Sequence, residues 1–511
     1  MTNLMSRDVF SNRRLSRRTM LSTLSLAVAG VALAACSGQS ASTPSAGSGQ
    51  TTASGRATAS SGASATVAAK TAPPSGASSA TTGGKAAITF LIRSDMGPLI
   101  AAWNKRSADN FMKANPNVTV NLVGVPWGDY NAKLLAMFAA DQIPEVFGNW
   151  AAGFGTFLIN GALQAVTDFV KNDNLDLSKR FEKSAVDALT RDGKLMGMPD
   201  GDEPTILFYN KTLFDKAGIK PPPIDWSDKS WTLDALLTAA TKLSHDQTDP
   251  RKGEWGLIVD GNAMQLGVGS WLWGVDPYNN LGGPEKTQAY QTGKVTEAFY
   301  DAPKFATAMQ WYADLALKAK VSPHPSDVQA LSQGVANPFV TGRIGMWVSG
   351  QFSFTVVANA KPKWQWGIAA LPYGPAGLNT SPLYNDSFFL GKGAKQLSAG
   401  WQFLKYLTLD AGAEDYTTST GFWPTRLDLW EKSAKAMAAL PGMTQSAEEI
   451  QQAITGAFKQ GFVTPGKTLD RYVELNNAWV QTSATIWTGQ TPVADGLKQV
   501  QSKIMSVITS K

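Results

Sequence analysis

The chain has 511 residues, of which 43% are hydrophobic and 17% charged, and its formal net charge is +6. That length predicts two to four domains rather than one, and the composition allows a large apolar core. The first 35 residues carry a net charge of +4, so the remainder is close to neutral at +2. Because nucleic-acid binding requires a clustered basic surface, this balance excludes nucleic acid as an expected partner.

The first 35 residues have the three parts of a secretion signal. Five arginines, four of them within 13–18, precede an apolar run of 16 residues, Met20–Ala35, which ends in small residues. A bilayer-spanning helix needs about 20 apolar residues, so the run is too short to be one. Ser16–Leu21 is similar to the twin-arginine export motif, with Met20 where phenylalanine is usual. We predict a signal peptide over 1–35, exported by the twin-arginine or the general secretion route.

Cys36 is the only cysteine of the chain, and it follows Leu33, Ala34 and Ala35 directly. This context resembles a bacterial lipobox, in which the cysteine is acylated and becomes the new N-terminus. A lone cysteine in an exported protein needs an explanation, and acylation supplies one, whereas the alternative is an inert core cysteine. Two acyl chains suffice for stable anchoring, so we expect a lipid-anchored protein on the outer face of the cytoplasmic membrane.

Residues 36–85 form a low-complexity segment made almost entirely of serine, alanine, threonine and glycine. This composition cannot bury enough apolar surface to offset the entropy of ordering, so we predict a disordered tether. A flexible coil of about 49 residues has an end-to-end distance of about 35–42 Å. The remainder of the chain is therefore expected to work just outside the membrane.

From Ala86 onward, strand and helix patterns alternate. Strands are predicted over 87–93, 118–125, 145–150, 205–210, 254–260, 344–350 and 364–372, and helices over 99–114, 129–140, 232–243, 303–318 and 399–408. The residues after about 429 are predicted to be mostly helical. In the second helix, Leu134, Leu135 and Phe138 lie at helical spacing. The order strand–helix–strand–helix predicts an α/β protein with a parallel sheet and helices on both faces.

Five sequence blocks follow one another in a recognisable order. They are NPNVTV…IPEVF (115–147), GKLMGMPDGDEP…SWTLDALL (193–237), TGRIGMWVSGQF (341–352), WGIAALPYGP (366–375) and TGFWPTR (420–426). In this order the blocks resemble the family-1 extracellular solute-binding proteins, the group that contains maltodextrin-binding protein. Residues 492–505 resemble the closing helix of that family, so the resemblance extends over about 86–505.

The resemblance implies a two-lobed α/β periplasmic-binding-protein fold of the type II kind, with a ligand cleft between discontinuous lobes. Lobe 1 is expected over 86–199 plus about 384–430, and lobe 2 over about 200–383 plus about 431–511. The chain is expected to cross the hinge near 198–201 and to return near 371–386. Proline and glycine in the first crossing mark element boundaries, which hinges use to absorb changes in backbone angle.

The chain is poor in residues for catalysis. His245 and His324 are its only histidines, so a serine or cysteine nucleophile system and a histidine-rich metal site are both poorly supplied. Residues 461–468 match the phosphate-loop pattern G-x-x-x-x-G-K-T, but the preceding segment is predicted to be helical, so we interpret the match as coincidental. We expect no metal, no cofactor and no enzymatic activity.

An acidic cluster, Asp200, Asp202 and Glu203, lies at the first expected hinge crossing. Two carboxyl groups could act as the acid and base of a glycosidase. Carboxyl groups so close in sequence also fit a solvated hinge surface, or acceptors for the hydroxyl groups of a ligand. All three interpretations stay open at this point.

The chain contains 17 tryptophans, many of them beside glycine or polar residues. Each one alone fits core packing as well as ligand contact, but as a set they favour a carbohydrate pocket. Stacking about 100 Å² of a sugar's C–H face on an indole contributes roughly 2–3 kcal/mol. The sugar hydroxyls need polar partners, because an unpaired buried hydroxyl costs about 1–3 kcal/mol.

The candidate ligand-binding residues combine positions that the resemblance implies with the end of the first strand. They are Arg93, Asp95, Trp150, Asp202, Glu203, Trp271, Trp273, Gln351, Phe352, Tyr384, Asn385, Asp386, Trp423 and Arg426. Arg93 and Asp95 lie at a carboxyl strand end, where open α/β sheets bind ligands, although a structural ion pair fits them equally well. The family often has tryptophan at the position of Phe352.

Together these features predict the substrate-binding subunit of an ABC importer, a monomer that binds a sugar or oligosaccharide and delivers it to a membrane permease. One alternative is a binding protein for a polyol phosphate, a peptide or a polyamine; another is a surface-tethered carbohydrate-active enzyme. A phosphate ligand would require basic side chains at the cleft, and a polyamine would require acidic ones.

Overall fold

The structure is a computed structural model that describes residues 85–150, 153–280, 282–332, 335 and 337–510. The predicted signal peptide over 1–35, Cys36 and the tether up to residue 84 lie outside the described residues, and these predictions stay predictions. None of the described helices has the length and apolar character needed to cross a bilayer.

Strands and helices alternate along the described chain. The first elements are β1 (Ala86–Arg93), α1 (Pro98–Ala114), β2 (Val118–Val125), α2 (Trp127–Ala139), β3 (Val146–Trp150), α3 (Phe154–Ile159), β4 (Leu163–Gln164), α4 (Thr167–Asn172), α5 (Lys183–Ala188), β5 (Thr190–Arg191) and β6 (Lys194–Leu195). The next are β7 (Met198–Asn210), α6 (Lys211–Lys216), α7 (Leu233–Lys242), β8 (Trp255–Val259), α8 (Gln288–Thr292), α9 (Pro303–Leu317), α10 (Val328–Ser332), β9 (Ile344–Gly350), α11 (Ser353–Ala360) and β10 (Trp366–Ala369).

The remaining elements are β11 (Ser381–Gly391), α12 (Leu397–Leu409), α13 (Ala411–Thr420), α14 (Trp430–Ala438), α15 (Ala447–Lys459), β12 (Gly461–Val463), α16 (Pro465–Thr468), α17 (Tyr472–Trp487) and α18 (Val493–Thr509). Short 3₁₀ helices span Leu177–Lys179, Asn262–Trp273, Pro284–Lys286, Pro338–Thr341 and Leu427–Leu429. Each strand and helix predicted from the sequence corresponds to one of these elements, and the mostly helical end of the chain is confirmed.

The main sheet has the strand order β2-β1-β3-β11-β7-β9-β8. β1 is parallel to β2 and β3, and β8 is parallel to β9, as the alternation of strands and helices predicts. β11 and β7, however, are antiparallel to each other and to their outer neighbours β3 and β9. The expectation of a wholly parallel sheet is therefore wrong. The sheet is mixed because two long strands of opposite direction join its two parallel parts.

Two buried hydrophobic clusters lie on either side of this strand pair. One draws on residues 86–198 and 388–422, and the other on residues 206–371 and 423–504. The stretch of β7 and β11 between the clusters, 199–205 and 384–387, is rich in buried polar side chains. We define this stretch as the crossing, and we propose that the two clusters are the cores of the two predicted lobes.

A third segment, 421–426, passes beside β7 at the crossing. The backbone N–H of Asp202 donates to the carbonyl of Trp423 at 3.0 Å, and that of Thr425 donates to the carbonyl of Asp200 at 3.0 Å. β7 runs unbroken through the predicted hinge at 198–201, so Pro199 and Gly201 interrupt no strand. The irregularity lies in the pairing instead, where the register of β11 against β7 shifts between Asn385 and Ser387.

Tyr130 fixes helix α2 against the sheet beside the crossing. Its hydroxyl is buried and donates to the carbonyl of Gly148 on β3 at 2.9 Å, and the carbonyl of Leu91 on β1 lies 3.1 Å from the same oxygen. Leu134 and Met137 of the same helix are also buried, and Leu135 and Phe138, which were predicted with Leu134, are half-buried against the same cluster. The position of the helix therefore depends on one polar contact and an apolar face.

We expect Tyr130→Phe to lower the free energy of unfolding by about 0.5–1.5 kcal/mol, because it removes a buried hydrogen bond. Urea or thermal unfolding of the two proteins measures this difference. Tyr416→Phe is the matched control, since Tyr416 is equally buried but its hydroxyl has no hydrogen-bond partner in the described part of the chain. An equal loss of stability in both variants would contradict the assigned role of Tyr130.

Candidate functional site

Four carboxyl groups are buried together at the crossing. Asp200, Asp202 and Glu203 on β7 and Asp386 on β11 are 6%, 0%, 1% and 3% exposed. Antiparallel pairing places Asn385 opposite Asp202, one residue from Asp386. Gly201 permits the close approach, because a Cβ at this position would lie 2.7 Å from Glu203 Oε1 and 3.5 Å from the Cβ of Asp386. Isolated buried charges are costly, so this arrangement points to a function.

Several buried polar atoms at the crossing lack hydrogen-bond partners. Asn385 Nδ2 donates to Asp202 Oδ1 at 2.8 Å. Among the described residues, however, Asp202 Oδ2, Glu203 Oε1 and Asn385 Oδ1 have no partner. The indole N–H of Trp423, a residue of the third segment, is also buried without a partner there. Because each such atom costs about 1–3 kcal/mol, the crossing is suited to a ligand that supplies hydroxyl groups.

The carboxyl groups at the crossing titrate well above their ordinary range. Burial raises the pKa of Asp386 to about 7, although Lys467, Arg93 and a hydrogen bond with Glu203 act to lower it. Burial, with the neighbouring carboxylates, also raises the pKa values of Asp200, Asp202 and Glu203 well above normal. In this conformation the cluster therefore retains protons near neutral pH, and protonated carboxyl groups donate as well as accept hydrogen bonds.

Lys467 is a site residue that the sequence analysis missed. It is fully buried on α16, its Nζ donates to Ser387 Oγ at 2.7 Å, and burial lowers its pKa to about 7. Lys467 belongs to the segment that matches the phosphate-loop pattern, but the charges around it are carboxyl groups. Asp386 and Glu203 act to raise its pKa. The isolated GKT motif was the available signal, but only the fold reveals that it lies beside the acidic cluster.

Arg93 and Asp95 form the structural ion pair that was one of the two expectations for them. Arg93 Nε lies 2.8 Å from Asp95 Oδ1, and Asp95 Oδ2 accepts the first backbone N–H of α2, from Trp127, at 3.1 Å. The Arg93 guanidinium lies 4.8 Å from the centre of the Trp127 ring. Trp127 is half-buried and packs against both hydrophobic clusters. It is therefore a second residue of the site region that was not among the candidates.

Three of the candidate side chains make contacts within the protein, and their assignment to ligand binding stays a prediction. Gln351 is fully buried; its Nε2 donates to the carbonyl of Gly421 at 2.7 Å, and its Oε1 accepts from the backbone of Trp423 at 3.0 Å. Both polar ends of Gln351 are thus used to hold the third segment. The guanidinium of Arg426 is also used within the protein, where it donates to the carboxylate of Asp428 and to the carbonyl of Leu409.

Trp273 is the third such candidate. It is 5% exposed and belongs to the second hydrophobic cluster, where its ring centre lies 5.7 Å from those of Trp311 and Tyr312. Trp271 and Trp273 are two positions apart, and residues at this spacing share a face only if the segment is extended. The segment is a 3₁₀ helix, so the two rings diverge.

The other aromatic candidates stay predictions. Trp271 is buried, with its Nε1 donating to Asp276 Oδ2 at 2.7 Å, and its ring meets Phe462 of β12 edge-on. Phe352 is half-buried and meets the buried ring of Tyr384 edge-on at 5.5 Å, beside the crossing. The backbone of Trp150 pairs with that of Asp386, and its side chain is not among those described.

An apolar cavity lies away from the carboxyl groups, within the second cluster. Its volume is about 40 Å³, it is partly open to solvent, and its wall includes Leu233, Val259, Leu272 and Trp311. Thr205 and Pro382 connect it to β7 and β11, but no carboxylate, amine or guanidinium group lines it. A hydroxyl-rich ligand would lack partners there, so the crossing is the better candidate site. Within the described chain, no group of three or more His, Cys, Asp or Glu residues is placed to hold a metal ion.

Fold and site together define a two-lobed α/β binding protein. The profile of the bacterial extracellular solute-binding proteins matches residues 93–414. The chain therefore belongs to the family of bacterial extracellular solute-binding proteins, and the resemblance seen in the sequence is confirmed.

Individual relatives agree with this family. A binding protein of Brucella abortus is 26% identical over 322 residues, which are 61% of this chain and 70% of that protein. The sn-glycerol-3-phosphate-binding periplasmic protein of Yersinia pestis is 28% identical over 146 residues, 27% of this chain and 33% of that protein. An ABC substrate-binding protein of Listeria monocytogenes, solved in complex with cycloalternan, has a similar structure. Its TM-score is 0.69 at 20% identity, over 84% of this chain and 100% of that one.

The raised pKa of Asp386 predicts a pH-dependent stability. In the folded state this carboxyl group binds its proton more tightly than in the unfolded chain, where its pKa is about 4. Its contribution is therefore complete below about pH 4 and is lost as the pH rises through about 7, with a slope of up to about 1.4 kcal/mol per pH unit.

Asp386→Asn cannot titrate, so relative to this variant the wild type should lose unfolding free energy as the pH rises across that interval. Denaturant unfolding at several pH values measures the difference. Asp109→Asn on the exposed face of α1 controls for the loss of one negative charge. A wild-type minus Asp386→Asn difference that does not change with pH would contradict the assignment.

Proposed function

We propose that this solute-binding protein is the extracytoplasmic substrate-binding subunit of an ABC importer, and that its ligand is an uncharged sugar or oligosaccharide. The observation that carries the proposal is the set of buried atoms without partners at the crossing, Asp202 Oδ2, Glu203 Oε1 and Asn385 Oδ1. Sugar hydroxyl groups both donate and accept, so one ligand can satisfy carboxyl, amide and indole groups together.

The crossing also offers a simple mechanism of capture. Its carboxyl groups lie on strands that continue into both proposed lobes, so a sugar held there contacts residues near both hydrophobic clusters. A ligand shifts an equilibrium towards the conformation in which it makes more contacts, so sugar binding favours the closed arrangement of the lobes. The closed form would then deliver the ligand to the permease.

A phosphorylated ligand is the main alternative, and the Yersinia pestis relative binds one. The charges of the crossing argue against it, because four buried carboxyl groups face a single buried lysine, and Arg93 is already paired with Asp95. A phosphate dianion would add two negative charges to this surface without an arginine fork to receive them. The same excess of acid keeps a polyamine open as an alternative, which the binding experiments below address.

Binding without turnover is the expected activity. The relatives are binding proteins. The carboxyl groups at the crossing interact with one another and with Asn385, whereas a glycosidase places a separate acid and base on either side of the glycosidic bond that is cleaved. We propose that none of them acts as a catalytic acid or base, so no bound glycan should be cleaved.

Glu203→Gln should weaken sugar binding by about 10- to 100-fold, because it changes a buried partner of the ligand from a carboxyl group to an amide. Intrinsic tryptophan fluorescence, titrated with mono- to tetrasaccharides, measures the affinity, and a rise in unfolding temperature with ligand corroborates it. Glu145→Gln is the matched control: Glu145 is also buried, but it accepts from the backbone of Thr89, far along β1 from the crossing. If no uncharged saccharide binds the wild type, or if both variants bind it equally, the proposed site is wrong.

The attachment to the membrane is a separate proposal that depends on Cys36 alone. Cys36→Ala removes the only thiol and should shift the protein from the membrane fraction to the soluble exported fraction, because no acyl chains can then be attached. Fractionation followed by immunoblotting measures the distribution. A conservative change within the tether, Ser40→Ala, should leave the protein in the membrane fraction. Membrane retention of the alanine variant at Cys36 would contradict acylation.

A further inference from the structure

Lys467 has an unusual position for a charged residue. Among the described residues it is the only buried lysine or arginine. Its short helix is held from two sides: the backbone N–H of Thr464 donates to the carbonyl of Leu383 at 3.0 Å, and Arg191 Nη2 donates to the carbonyls of Lys467 and Thr468, both at 3.2 Å. The side chain is therefore positioned by its backbone and does not sample solvent.

The surroundings of the ammonium group come from several elements. Ser387 Oγ accepts its hydrogen bond at 2.7 Å, and the ring of Phe389 lies 5.7 Å away, both on β11. Asp386 of β11 and Glu203 of β7 are the acidic groups that interact with it electrostatically. Arg191 of β5 binds the carbonyl of Lys467, Asp470 follows on the same segment and interacts with Arg191, and Arg93 of β1 acts on Asp386.

The position of Lys467 decides which ligand charge the crossing accepts. Those carboxyl groups of the crossing that ionise would by themselves attract a cationic ligand such as an amine. Lys467 already supplies a cation to two of them, so a ligand ammonium group would have to approach a like charge in a poorly solvated site. Selectivity of this kind rests on repulsion of the wrong ligand, in addition to attraction of the right one.

We propose that Lys467 is a specificity-determining residue that reserves the carboxyl groups of the crossing for uncharged, hydroxyl-bearing ligands by excluding amines. The inference rests on the proposed function, since it assumes that these carboxyl groups face the ligand. It assigns a task to the lysine of segment 461–468, whose match to the phosphate-loop pattern we interpret as coincidental.

The test compares wild-type full-length chain with Lys467→Met, using glucosamine, chitosan oligosaccharides and spermidine as cationic probes and the matching neutral sugars. Methionine keeps the length of the side chain and removes its charge, so the variant should bind at least one cationic probe about tenfold or more tightly than the wild type does. Lys432→Met on the exposed face of α14 is the matched control and should bind as the wild type does. Tryptophan fluorescence and the ligand-induced rise in unfolding temperature are the readouts.

A folded Lys467→Met protein that gains no affinity for any of these amines overturns the proposal. If the wild type already binds amines tightly and no neutral sugar, the proposed carbohydrate function fails first, which separates the two failures.

If Lys467→Met does not fold, Lys467→Gln replaces it, because glutamine also removes the charge but keeps a group that can donate to Ser387 Oγ. Choline and tetramethylammonium, which are cationic at all pH values, are then the probes at one fixed pH. A folded Lys467→Gln protein that binds them about tenfold more tightly than the wild type supports exclusion by the lysine charge, and unchanged or weaker binding overturns it.

Discussion

The structure of the crossing depends on one constraint, the burial of four carboxyl groups on two adjacent antiparallel strands. Four ionised carboxylates at this depth would repel one another and lack water, so the site stays folded only if protons or a cation reduce the charge. Asp386 can hold a proton, because burial raises its pKa to about 7, and Lys467 can supply the cation, although burial lowers its pKa to about 7. The absent side chain of Gly201 and the register shift at Asp386 provide the space that this arrangement needs.

The same strand pair explains how a binding site can lie between two hydrophobic clusters. β7 is apolar where it enters the second cluster and β11 is apolar where it enters the first, and both are polar in between, so the polar stretch is excluded from both cores. The third segment is bound to β7 by backbone hydrogen bonds, and the side chain of Gln351 donates to the carbonyl of Gly421 in the same segment. Three chain segments thus meet at the carboxyl groups of the crossing. A ligand bound there would affect the relative position of the proposed lobes, and that position would affect how tightly the ligand binds.

Sequence and structure agree best where the physical signal is local. The elements of the first parallel strands follow from hydrophobic periodicity, and the predicted range 87–93 differs from β1 by one residue. Single site residues carry no such local signal. Gln351 and Arg426 have the polarity of ligand-binding residues. In the structure Gln351 bonds to backbone groups, Arg426 bonds to a backbone carbonyl and a neighbouring carboxylate, and Trp273 lies in the core. Residue type states what a side chain can bind, whereas its partner depends on what the fold places beside it.

The sequence by itself determined the strand and helix pattern, the family, and the acidic cluster at 200–203, because periodicity, motif order and residue chemistry are properties of contiguous residues. The tertiary structure alone decided that Asp386 joins that cluster, that Lys467 lies beside it, and that Trp127 packs against both hydrophobic clusters. These residues are separated by about 80 to 340 positions along the chain. Their contact, and therefore the charge of the site, is set by which strands pair and by which segments pack across them.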